Sequence, residues 1–169
     1  MTDLLARISE HWATRGIAHG SPISSADVAT FEERYAVRLP ADLRSYVFEL
    51  NGSEQGSNGP MDDQLLTFWH LAEMRPLNEA EPTVNNHDAA RWFVIADHSI
   101  SVHEYVVALS ADPAAPSPVA VVYDDFLVEV APSFSAFLEG YLANDQLMLF
   151  PDVPTGWMAK YGDRLSNDR

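Results

Sequence analysis

Asp97, His98, Ser99, His103 and Glu104 crowd into eight residues, and their side chains are those used by hydrolytic and metal chemistry. A hydrolase needs a serine nucleophile, a histidine base and an orienting carboxylate that point at one another. Consecutive residues of one turn or strand do not do so, and the G-x-S-x-G elbow is absent. Two histidines five apart match neither the HExxH pair of a zinc helix nor alternating positions on one strand face. The group therefore reads as a polar turn and not as a metal centre. Asp62-Asp63 and Asp124-Asp125 supply carboxylates in pairs, the residue type of general acid–base work. A glycosidase holds its two carboxyls at a set gap across a cleft, whereas neighbours in one loop are ordinarily just solvated. There is no P-loop, no dinucleotide glycine fingerprint, no EF-hand loop and no cysteine for thiolate chemistry. The sequence thus calls for no catalytic residues, no cofactor and no metal, and the expectation is a protein that is not an enzyme.

Charge is the more informative property. Lys and Arg number 10 against 25 Asp and Glu, a net of -15. Residues 1–60 hold eight acids and five arginines, and residues 61–169 seventeen acids and five bases, so the later part is the more acidic. Binding to a phosphate backbone needs clustered Lys and Arg to release counterions, so direct nucleic-acid binding is disfavoured. A basic protein partner would be attracted; acidity that serves solubility alone is the other reading. Trp69 follows Phe68 on a predicted strand, so the two face opposite sides and one of them can stand outside. An exposed Trp69 beside Asp62 and Asp63 would suit an interface anchor.

The elements that must carry these residues follow from periodicity. Leu5, Ile8 and Trp12 lie at helical spacing, with Gly16 as a stop. Ser24 and Asp27 have capping-box spacing ahead of Val28, Phe31 and Tyr35. Pro40 opens a third helix with the face Leu43, Tyr46, Val47 and Leu50, ended by Asn51-Gly52. After a polar, glycine-rich loop over 52–64, strands are predicted at 65–71, 92–96, 105–109, 119–123 and 126–130, with a short helical turn inside 72–80. Asp124-Asp125 would join the last two strands in a tight hairpin. A closing helix over 133–145 shows Phe134, Phe137, Leu138, Tyr141 and Leu142 on a wide apolar face. Short links make an antiparallel meander, and helices segregated to the two ends make the class α+β.

Cytoplasmic localisation is expected, because no apolar run nears the roughly 18–20 residues that span a bilayer. The opening MTDLLARISEHW has Asp3 and no basic stretch leading into an apolar one, so it reads as a helix and not as a leader. One domain is expected over 1–146. Residues 147–169, with Leu147, Leu149, Phe150 and Trp157, would form an extension packed on it or trailing from it.

FEERYAVRLPADLRSYVFELNG (31–52) resembles the signature of the SUKH superfamily: an amphipathic helix, an L-P step, a second helix and N-G. FVIADHSISVHEYVVAL (93–109) resembles its central strand pair, and VEVAPSFSAFLEGYL (128–142) its closing strand and helix. Many members have a glycine-rich turn between the central strands; here residues 97–101 read Asp-His-Ser-Ile-Ser, without glycine. The superfamily includes fungal cell-wall-assembly regulators of the Smi/Knr type and many bacterial immunity proteins. The resemblance implies helices packed on a central, mainly antiparallel sheet of five or six strands, and a protein-binding role. Together with the acidity it points to an immunity-type inhibitor of a basic toxin, a nuclease in the first instance. The contacts would come from Asp62, Asp63, Trp69, Asp97, Glu104, Asp124 and Asp125. The alternative is a stand-alone regulatory or scaffold module. Arg38 and Arg44, on either side of the L-P step, read as surface charges paired locally.

Overall fold

The computed structural model describes residues 1–82, 89–100, 102–123, 126–146 and 151. Helix α1 spans Thr2–Ala13 and buries Leu4, Leu5, Ile8 and Trp12, one stripe at i, i+3, i+4 spacing. Helix α2, Ser25–Tyr35, starts on the expected capping box: Ser24 Oγ accepts from the Asp27 amide at 3.3 Å, and Asp27 Oδ2 accepts from the Ser24 amide at 2.7 Å. Helix α3, Ala41–Glu49, buries Leu43, Tyr46 and Val47. Pro40 stands one step outside its first turn, as the N-cap, because its ψ of 156° is extended.

The L-P step and the N-G pair are tied down by what surrounds them. Glu32 is buried beneath the step, accepts from the Leu39 amide at 2.8 Å, and pairs with both Arg38 and Arg44. Asn51 has φ +48° and Gly52 φ +79°, the left-handed backbone that ends α3. The Asn51 amide donates to Ser21 O and accepts from the Leu71 amide, each at 2.9 Å, which clips the segment before α2 to the chain beyond the first strand. Gly52 packs so tightly that a Cβ would lie 2.7 Å from the carbonyl carbon of Trp69.

The sheet is a five-stranded meander in the order β1 Leu66–Phe68, β2 Trp92–His98, β3 His103–Ala108, β4 Val119–Tyr123 and β5 Phe126–Ala131, every pair antiparallel. Helix α4, Leu77–Ala80, lies between β1 and β2, and α5, Phe134–Leu142, follows β5. The architecture is α+β. β1 is shorter than the stretch 65–71: Leu65 turns left-handed before it, and a turn closed by Glu73 N to His70 O follows it.

One face of the sheet, with Phe68, Phe93, Tyr105 and Val121, meets α1, α2, α3 and α5 in the main core. The opposite face carries a second buried cluster in which Trp69, Trp92, Val94, Val106 and Ala120 pack with Leu77 of α4. Coverage on both sides explains why WFVIA and VAVVY are continuously apolar instead of alternating. The residues 124–125 and 147–150, and those from 152 onward, fall outside the described residues, so the Asp124-Asp125 turn and the extension with Trp157 do as well.

Candidate partner-binding surface

Asp62 is an internal residue. Its Oδ1 accepts from the amides of Gln64 at 2.8 Å and Leu66 at 2.9 Å, which shapes the turn into β1. Its Oδ2 accepts from the phenol of Tyr141 in α5 at 2.5 Å, and only 6% of the residue is exposed. Asp63, next to it, is exposed. Its Oδ1 accepts from Arg15 Nε at 2.6 Å, and this bond holds its carboxyl below the usual range.

Trp69 is not an exposed anchor. Phe68 and Trp69 do face opposite sides, but both sides are covered, and Trp69 is 6% exposed. Its Nε1 donates to Asp97 Oδ2 at 2.8 Å, and the Arg75 guanidinium lies 5.1 Å from its ring centroid. Asp97 is paired in register with Glu104 across β2 and β3, and both are buried. Burial, then Glu81 and Asp97, push the Glu104 carboxyl up to about 7.

The five residues that looked like a polar turn therefore belong mostly to strands. His98 pairs with His103, their ring centroids 6.1 Å apart, and His103 lies 4.4 Å from the Tyr123 ring on the main-core side. Two histidines five apart do share a face, because they are register partners on the antiparallel strands β2 and β3. Asp97 and His98 point to opposite faces, which separates the would-be base from its orienter. Burial lowers the pKa of both imidazoles.

The turn itself holds what sequence reasoning missed. Ser99 has φ +52° and Ile100 φ +58°, and Leu65, whose carbonyl accepts from the Ser99 amide at 2.9 Å, has φ +61°. A β-branched residue is seldom found in this left-handed region. Leu65, Ile100 and Val102 are exposed in the two joined turns at this end of the sheet. The available signal was the absence of glycine between the central strands. Beside them lies a cavity of about 420 Å³, lined among others by His11, Arg15, Asp63, Gln64, His98 and Asn144.

Of the expected contacts, Asp62, Asp97, Glu104 and Trp69 are thus drawn inside, Asp63 stands at the surface, and Asp124 and Asp125 lie outside the described residues. No described helix is long and apolar enough to cross a membrane. No curated protein matches the chain. A family model described as SMI1 / KNR4 family (SUKH-1) matches residues 22–140, from the segment before α2 into α5, and so takes in the L-P step, the N-G pair and every strand. A match over this much of the fold places the chain in the SMI1/KNR4 family (SUKH-1).

Proposed function

We propose that this domain is a non-enzymatic, immunity-type inhibitor that binds and neutralises a cognate basic toxin, a nuclease in the first instance. The observation that carries this reading is a negative surface left uncompensated among the described residues. Each arginine of the described residues is engaged within the chain: Arg7, Arg15, Arg38 and Arg44 in ion pairs, Arg34, Arg75 and Arg91 over aromatic rings. Asp3, Glu10, Glu33, Glu49, Glu54, Asp112 and Glu129 are exposed and enter no ion pair among the described residues. A protein that acts on nucleic acid carries a basic face for the phosphates. An acidic domain is steered to such a face and occludes it.

Co-expression with toxins encoded beside its gene is the direct test. Rescue of growth and a stable complex are expected, with association slowing steeply as salt rises, since steering is screened over about 8–10 Å at physiological ionic strength. Absence of both rescue and complex with every neighbouring toxin would refute the reading. The family match fits a regulatory or scaffold module of the Smi/Knr type equally well. A gene with no toxin beside it, and a complex with a host protein instead, would favour that second reading.

A further inference from the structure

The described residues expose five large apolar side chains, Met1, Phe48, Leu65, Ile100 and Val102, and the last three share one end of the sheet. Leu65 is 45% exposed, Ile100 79% and Val102 62%. Their two turns are joined by the Ser99 amide to Leu65 carbonyl bond, and Val102 N donates to His98 O at 3.0 Å, so the patch sits on a bonded frame. Leu65 and Ile100 are held in left-handed backbone, a strained conformation for a residue other than glycine. Apolar side chains left largely in water by a strained backbone gain the fold little, which points to a use outside it.

The cavity next to Leu65 says what kind of group would enter. The buried Gln64 Oε1 and His11 Nε2 have no hydrogen-bond partner among the described residues. Gln64 Nε2 is committed to the Tyr141 carbonyl at 3.1 Å, so the amide is fixed with its oxygen as the unmet atom. Burial first, then Arg15, lower the pKa of His11, which favours the neutral imidazole; in its Nδ1–H tautomer Nε2 is an acceptor. Among the described residues, the carboxylates of Asp62, Asp63 and Asp97 act on the two imidazoles of this cavity, against the guanidinium of Arg15. Unmet acceptors in a negative surround fit a group with donors only, an ammonium or a guanidinium. A carboxylate would bring acceptors to acceptors.

We propose that this end of the sheet is the docking surface for a protein partner that inserts a lysine or arginine into the cavity while apolar neighbours cover Leu65, Ile100 and Val102. The assignment rests on the protein-binding reading and adds to it the face used and the side chain received. It moves the contact from Trp69 and the Asp97–Glu104 pair to residues 63–65, Ser99, Ile100 and Val102.

Two experiments on the full chain test it separately from the inhibitor reading. The first titrates ¹⁵N-labelled protein with the peptides Ac-Ile-Lys-Leu-NH2 and Ac-Ile-Glu-Leu-NH2. The lysine peptide is expected to shift the amides of His11, Gln64, Leu65 and Ile100, and Ile100→Asp to weaken it about tenfold. Aspartate tolerates the left-handed backbone, so that variant keeps its melting temperature. Equal shifts with both peptides, shifts confined to other residues, or a self-dimer that Ile100→Asp dissociates would overturn the proposal. The second measures toxin rescue, with wild type and Phe48→Asp expected to rescue and Ile100→Asp and Val102→Asp to fail. If wild type and Ile100→Asp rescue alike, the docking surface is wrong and the inhibitor reading stands. If no toxin is rescued but the lysine peptide binds as expected, the surface stands and the inhibitor reading falls.

Discussion

The phenol of Tyr141 donates to Asp62 Oδ2 at 2.5 Å, and the indole of Trp12 donates to that phenol oxygen at 3.0 Å. This buried relay joins α1, α5 and the turn into β1, three pieces of chain far apart in sequence. Asp62→Ala leaves the phenol and the amides of Gln64 and Leu66 without their acceptor and is expected to cost roughly 3 kcal/mol. Tyr141→Phe removes the donor to Asp62 and also the acceptor of the buried Trp12 indole, and should cost about 2–3 kcal/mol. In urea unfolding the double variant should fall short of the sum by about 1 kcal/mol or more, since both changes remove the same bond.

Gly52 and Gly16 both have positive φ, +79° and +72°, but only Gly52 has backbone where a Cβ would go. Gly16→Ala meets open space and should cost about 1 kcal/mol from backbone strain alone. Gly52→Ala must also push the Phe68–Trp69 backbone aside, so a loss above roughly 3 kcal/mol, or failure to fold, is expected. Equal costs in thermal or urea unfolding would show that close packing is not what the N-G pair needs.

Glu104 titrates near 7 in the fold and near its ordinary 4.5 when unfolded. Between these values the native state holds a proton that the unfolded chain has released. Its contribution to stability therefore falls as pH rises through that window and is lowest above pH 7. Glu104→Gln should be more stable than wild type at pH 8, by on the order of 1–3 kcal/mol, and the gap should close by about pH 4.5. Unfolding midpoints of the two proteins across this range measure it, and a gap that does not change with pH would contradict it.

Ile100→Gly relieves the left-handed strain at no packing cost, because the side chain is exposed. A gain of about 0.5–1 kcal/mol is expected after the entropy of the added glycine is counted, a rise in melting temperature of roughly 1–4 °C. The same variant should lose affinity for the lysine peptide. Greater stability with weaker binding would mark the turn as strained for use.

Local features of this chain were legible because their causes lie within a few residues. Ser24 and Asp27 cap α2 across three positions, Leu5, Ile8 and Trp12 form one stripe within three turns, and VAVVY is a strand from β-branched content alone. The family resemblance was legible for the same reason: the L-P step and the N-G pair are short local devices. The absence of a nucleophile elbow or phosphate loop could likewise be read directly from the order of residues.

Inside and outside were decided by the tertiary structure. Asp62 is internal because Tyr141, seventy-nine residues later, reaches its carboxylate. Asp97 and Glu104 are internal because register makes them partners on a sheet face that is itself covered. Leu65 and Ile100, apolar by type, are outside because backbone handedness at two joined turns aims them at solvent. Residue type sets the cost of burial or exposure, but which residues bear that cost depends on contacts between distant parts of the chain, and these exist only once it has closed on itself.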